Sequence, residues 1–216
     1  MGGFEPPNKG SNPFGTSSPL GVTIMEIDHI KDLSHIASFA ARSHAELYRK
    51  DKKTPGIVHP ARVVSLAAYF GHGPVIQSGS WMHDTVEDCK VSFKDIYELL
   101  KTTSFSNQDK LRIFTCVVAM TEKERPNTPR CIRKDEYIRQ LISCDDAVIV
   151  KICDIIDNIT DLDGIEEEYI LSHTIPEYSH FIDIIGTYNN IHKYNVEYYK
   201  LKEIMASLKE EYNYEE

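Results

Sequence analysis

An all-α, single-domain protein is the fold class predicted by the sequence, on three observations. Apolar residues recur at spacings of three and four, no stretch alternates as a strand would, and no internal repeat marks a solenoid. A length of 216 residues fits one domain, and 41% hydrophobic residues supply a core without disulfide staples. The elements follow in order. Residues 1–21 are rich in Gly, Pro, Ser and Asn and read as a flexible arm, 22–210 as the domain, and 211–216 as an acidic tail. Ile30, Leu33, Ala37, Ala40 and His44 mark the buried stripe of a first helix that ends near Tyr48. Residues 49–58 contain Thr-Pro-Gly and form a loop.

His59 precedes Pro60, so a helix begins there and runs to about Phe70, with His59 at its mouth. After the Gly71-His72-Gly73 break come helices over 74–83 and 92–102, the second capped by Ser92 with Asp95 in its first turn. Two more are expected over 107–120 and 130–143, joined by a mobile loop with two prolines and alternating charges. The most apolar helix spans 145–162, and its stripe of Ile149, Ile152, Ile156 and Ile159 makes it central. Beyond Pro176 one long amphipathic helix carries Phe181, Ile185, Tyr188 and Ile191 onward to Leu208. Eight of the twelve tyrosines lie past residue 168, which assigns them to packing of that helix.

A net charge of −9 argues against a nucleic-acid polymer as partner. The five cysteines are widely spaced with no Cys-x-x-Cys pair, which suits reduced thiols and excludes a thiolate zinc site. No apolar run approaches a membrane span and no signal peptide is evident, so a cytoplasmic protein with no membrane partner is expected. Oligomeric state is not readable from these features.

The chemistry lies in polar residues where apolar helices should exclude them. Trp81-Met82-His83-Asp84-Thr85-Val86-Glu87-Asp88 sets an imidazole beside a carboxylate, with two further carboxylates one turn on. On a helix or its last turn, His83 stacks under Glu87 and Asp84 under Asp88, so that all four can face one pocket. Asp154 and Asn158 form another i, i+4 pair in the most apolar helix, with Asp157 and Asp161 near them. Burying such acids costs several kcal/mol without a cation, a network or a wet cleft. Two imidazoles and two carboxylates, His59, His83, Asp84 and Asp154, make a ligand set suited to Mn²⁺, Fe²⁺ or Zn²⁺. Such an ion lowers the pKa of water and polarises phosphoryl oxygens, and Glu87 and Asp88 are placed to orient that water and take its proton.

Three linked motifs carry a resemblance. R-K-x(4)-P-x-x-x-H-P from Arg49 to Pro60, H-D-x-x-E-D from His83 to Asp88 and K-x-x-D-x-x-x-N from Lys151 to Asn158 resemble the hydrolase (HD) domain of RelA/SpoT homologues. Within it the likeness is to stand-alone small alarmone hydrolases of the Mesh type, over residues 30–165. The resemblance implies an all-helical, Mn²⁺-dependent enzyme that removes pyrophosphate from the 3′ position of guanosine tetra- and pentaphosphate. By position it implies His59, His83, Asp84 and Asp154 as metal ligands, Glu87 and Asp88 as the water-activating pair, Arg49 and Lys50 on the nucleotide, and Asn158 near the ribose. A basic segment agrees with this, since residues 42–62 hold six Lys or Arg against two acids.

This chain departs from the family pattern at Gly56, where an aromatic is usual, at Asp157, where an aromatic or His is usual, and at Trp81-Met82, where Leu-Leu is common. Gly56 and Asp157 leave an adenine alarmone or NADPH as an alternative substrate, because pocket walls rather than metal ligands choose the base. The other class of reading is a non-catalytic nucleotide- or partner-binding module, against which the Glu87-Asp88 pair argues. His44, on an apolar face, reads as a core histidine. Lys52, Lys53 and Glu166-Glu167-Glu168 read as solvated, and His29, His35, His72, His173, His180 and His192 carry no chemistry.

Overall fold

The computed structural model describes residues 27–123, 125–188 and 195–215, and among these every regular element is helical, apart from one isolated bridge between Tyr48 and Pro55. In chain order they are α1 (Ile27–Ser43), α2 (Val58–Tyr69), α3 (Pro74–Met82), the single turn α4 (Thr85–Asp88), α5 (Phe93–Lys101), α6 (Asn107–Met120), α7 (Arg130–Leu141), α8 (Asp145–Thr160), the short α9 (Glu167–Tyr169), α10 (Ile175–Thr187) and α11 (Asn195–Glu211). The all-α expectation holds. No described helix is long and apolar enough to cross a membrane. The expected arm over 1–21 lies outside the described residues.

Local chemistry sets the helix ends. Ser92 accepts from the Asp95 amide while the Asp95 carboxylate accepts from the Ser92 amide, a reciprocal pair that satisfies two free donors at the start of α5. Ser106 does half of this for α6 through the Asp109 amide. Pro74 opens α3, where its missing N–H costs nothing.

α8 is the axis, as its apolar run implied: it packs against α2, α3, α6, α7 and α11, with Ile152, Cys153 and Ile155 wholly buried. One core cluster surrounds it with α10 and α11; a second joins Ile36, Met82, Ile96 and Ile113 from α1, α3, α5 and α6. α3 and α6 cross closely at Gly79, where an added Cβ would stand 2.9 Å from Cys116 Sγ. The five cysteines are free thiols.

Three expectations are corrected. The first helix stops at Ser43 rather than Tyr48, and its buried face is Asp32, Ile36 and Ala40, with Ile30 exposed. The physical reason is Asp32, whose buried carboxylate accepts from the Ser104 amide and hydroxyl, an acid seated where a hydrophobic stripe was sought. Secondly, His83 and Asp84 do not continue α3. Asp84 leaves helical geometry at φ −110° and ψ −4°, so α4 is a separate turn. Thirdly, the closing segment is not one helix. Pro176 sits in the first turn of α10, entered through a π-helical stretch over Ile170–Thr174, and α10 ends at Thr187 before α11 packs on α8. Tyr212 and Tyr214 fold back onto the core.

Candidate metal centre

The centre forms where α2, α3 and α8 meet. His59 comes from the first turn of α2, His83 from the end of α3, and Asp154 from the middle of α8. All three are nearly closed to solvent, at 6%, 4% and 4% exposure. His59 Nε2 lies 3.2 Å from His83 Nε2 and 3.0 Å from Asp154 Oδ1, and His83 Nε2 lies 3.6 Å from the same oxygen.

The other nitrogen of each ring decides what this triangle means. His59 Nδ1 is 2.7 Å from Asp157 Oδ2, and His83 Nδ1 is 2.8 Å from the Ser80 carbonyl. Both partners are pure acceptors, so each Nδ1 carries the proton and each Nε2 is left with a lone pair. Two lone pairs and a carboxylate oxygen thus converge on one point. That is a repulsive arrangement unless a proton or a cation sits among them. Within the described residues these three form a group whose ligand atoms all lie within 4.8 Å of one another.

Asp154 is anchored twice more. Lys151 Nζ, part-buried over the Tyr137 ring, approaches Oδ2 at 2.8 Å, and Asn158 Nδ2 donates to Oδ1 at 2.7 Å. Burial raises the Asp154 carboxyl, but Lys151 and the two imidazoles outweigh it and hold it well below the ordinary range. Burial lowers His83, yet Asp84 and Asp154 raise it to about 9. Without a cation, therefore, a proton takes the place between the acceptors.

Asp84 stands at the rim, its Oδ2 3.9 Å from His83 Nε2. Its Oδ1 faces His44 Nε2 at 3.2 Å, and neither atom has a hydrogen-bond partner in the described structure. His44 Nδ1 already meets the Ala40 carbonyl, so here too a lone pair points at a carboxylate. His44, expected as an ordinary core histidine, packs against the Asp84 carboxylate.

Glu87 and Asp88 diverge. Asp88 lies among the charges of Asp84, His44, His83 and His59, while the Glu87 carboxylate accepts from the Glu122 amide and faces Lys151. Partial desolvation, first, and neighbouring acids raise both above their usual values.

Arg49, Lys50 and Asn158 come together in a narrow cleft walled by Asp161, Thr174 and Tyr178. Arg49 Nη2 donates to Asn158 Oδ1 at 3.2 Å, which links the loop before α2 to the helix carrying Asp154. The loop is held by Gly164: at φ +78°, a Cβ there would lie 2.8 Å from the Lys50 carbonyl oxygen. Tyr178 also borders a cavity of about 580 Å³ between α7, α8 and α10, whose lining includes Lys151 and Tyr137. Beside Glu87 a further cleft is lined by Lys123, Arg130, Arg133 and Lys134.

Lys151, Arg62, Tyr178 and this second basic group were given no role by sequence reasoning. The spacing of Lys151 before Asp154 was a usable signal. For the basic group none existed, because the segment reads as a charged loop and helix surface.

No family model matches the chain. A solved structure of a metazoan ortholog of SpoT, described as hydrolysing ppGpp and playing a role in starvation responses, aligns with a TM-score of 0.64 at 22% identity. The alignment covers 86% of this chain and 97% of that one. The protein therefore shares the all-helical fold of that SpoT ortholog along nearly the whole of the ortholog's length.

Proposed function

We propose that the protein is a metal-dependent nucleotide pyrophosphohydrolase that removes the 3′-pyrophosphate of (p)ppGpp, with Mn²⁺ as its cofactor. The observation that carries this reading is the convergence of the His59 and His83 Nε2 lone pairs on Asp154. The donor set of two imidazole nitrogens and carboxylate oxygen suits Mn²⁺ and leaves room for water and substrate. Likeness of fold to a protein described as hydrolysing ppGpp supports the substrate class.

His59, His83 and Asp154 would hold the ion, with Asp84 completing the set from the rim. When bound, the ion supplies Lewis acidity toward water and toward phosphoryl oxygen. Asp88 receives the proton of the attacking water, and Glu87, fixed by the Glu122 amide, orients it. Water oxygen bonds to the phosphorus carried by the ribose 3′-oxygen. The bond to that oxygen breaks, the oxygen leaves with the electron pair and takes a proton from solvent, and pyrophosphate departs. Arg49 and Lys50 hold the nucleotide from one side, and Lys123 stands beside Glu87 in a cleft whose other cations, Arg130, Arg133 and Lys134, are paired with Glu177 and Glu122.

The test is turnover of ppGpp, NADPH and a 3′-pyrophosphorylated adenine nucleotide in competition by the Mn²⁺-loaded protein. GDP and pyrophosphate formed preferentially from ppGpp are expected, and Asp88→Ala should lower kcat by about 10²–10⁴-fold while retaining the metal. Preferential cleavage of the adenine nucleotides would transfer the activity to them. No turnover of any of the three, in wild type or variant, would leave a binding module.

A further inference from the structure

The two imidazoles of the centre are backed differently. His83 Nδ1 meets a neutral carbonyl, that of Ser80, whereas His59 Nδ1 meets the carboxylate of Asp157 at 2.7 Å. Asp157 is 2% exposed and lies one turn of α8 beyond Asp154, so the two acids bracket the His59 ring, one at each nitrogen. Two guanidiniums flank Asp157: Arg62 Nη1 at 3.6 Å from Oδ1 and Arg49 Nη2 at 4.0 Å from Oδ2. Arg62 also reaches Asp161 at 2.7 Å, which ties α2 to the end of α8. The carboxylate is thus flanked by two cations as well as by the His59 ring.

We infer that Asp157 is a positioning residue for the metal centre: by accepting the His59 Nδ1 proton it fixes the ring's tautomer and direction and makes Nε2 a stronger donor to a divalent cation. A ligating histidine whose other N–H is given to a carboxylate gains basicity and orientation, and loss of such a partner typically weakens metal affinity 10–100-fold. The resembling family has an aromatic or His at this position, so the carboxylate is a feature of this chain rather than of the pattern. The reading rests on the metal centre proposed above.

The competing role for Asp157 is purely structural, as the counter-ion of Arg62 and Arg49. The experiment is titration of the metal-stripped full-length protein with Mn²⁺, read by the electron-paramagnetic-resonance signal of the free ion, with circular dichroism as the check on folding. Wild type should bind and Asp154→Ala should not. Asp157→Ala should bind 10–100-fold more weakly, and the near-isosteric Asp157→Asn, which keeps an acceptor but loses the charge, should fall between the two. Arg62→Ala removes the ion pair yet spares the hydrogen bond to His59, and should cost no more than about threefold, well short of the loss of a direct partner.

Affinity in both Asp157 variants equal to wild type overturns the inference while the centre stands, and so does an Arg62→Ala loss as large as that of Asp157→Ala. Should Asp157→Ala fail to fold, the Asn variant alone decides. A wild type that takes up no Mn²⁺, or an Asp154→Ala variant that still binds it, overturns the metal centre itself.

Discussion

Two of the histidine–carboxylate groups among the described residues differ in how their donors and acceptors match. At the junction of the α2–α3 turn with α11, His72 Nε2 meets Glu197 Oε1 at 2.6 Å, one donor for one acceptor. The pair is complete, and it pins the last helix to the body of the bundle. At the centre of the molecule, His59, His83 and Asp154 present acceptors to one another, their ring protons already given to Asp157 and Ser80. The same residue types make a structural pin where donors and acceptors match, and the cation site proposed above where acceptors are in excess. A count of histidines and acids does not distinguish them; the direction of the second ring nitrogen does.

That contrast can be broken most forcefully at His83. At a Mn²⁺ concentration near 100 Kd the wild type should gain roughly 2.7 kcal/mol of stability from the ion, seen as a raised melting temperature, and His83→Ala should gain none. A variant that still responded to Mn²⁺ would place the cation elsewhere. The counterpart, His72→Ala, strands the buried Glu197 carboxylate, and a loss of about 1–3 kcal/mol in denaturant unfolding is expected with the Mn²⁺ response intact. Loss of metal binding in this variant would erase the difference between the clusters.

A gentler probe is pH. In the metal-free protein the folded pKa of His83, about 9, lies above its ordinary value of 6.5. Protonation then favours the folded state, so the contribution is fully present below about pH 6.5 and is lost as the pH rises through about 9. The cation needs the neutral ring, so stabilisation by Mn²⁺ should grow over the same interval. Thermal melts with chelator and with Mn²⁺ across this range should diverge as pH rises; parallel curves would show that proton and metal do not compete for one place.

The legibility of the sequence varied with the distance to the partner. α5 was legible because Ser92 and Asp95 are neighbours, and the expected span of α6 matches a helix whose Ser106 cap, found in the structure, is equally local. The face of α1 was misread because the partner of Asp32 is Ser104, 72 residues away. The same rule holds in the site. The order of His59, His83-Asp84 and Asp154 was visible, and their convergence gives the centre its three corners. The hydrogen bond between Asp157 and His59 spans 98 positions, and that between Arg62 and Asp161 spans 99, so no local pattern announced them. His44 looked like ordinary core for a related reason: burial was evident, but the unpartnered Nε2 facing Asp84 belongs to the assembled fold.

The spread of the three corners along the chain has a consequence for biogenesis. A nascent polypeptide emerging from the ribosome displays both imidazoles long before it delivers the acid of α8, the helix against which five others pack. If the proposed centre holds an ion, its capture comes late, after that axis is seated, and a product truncated before α8 lacks the third corner of the site.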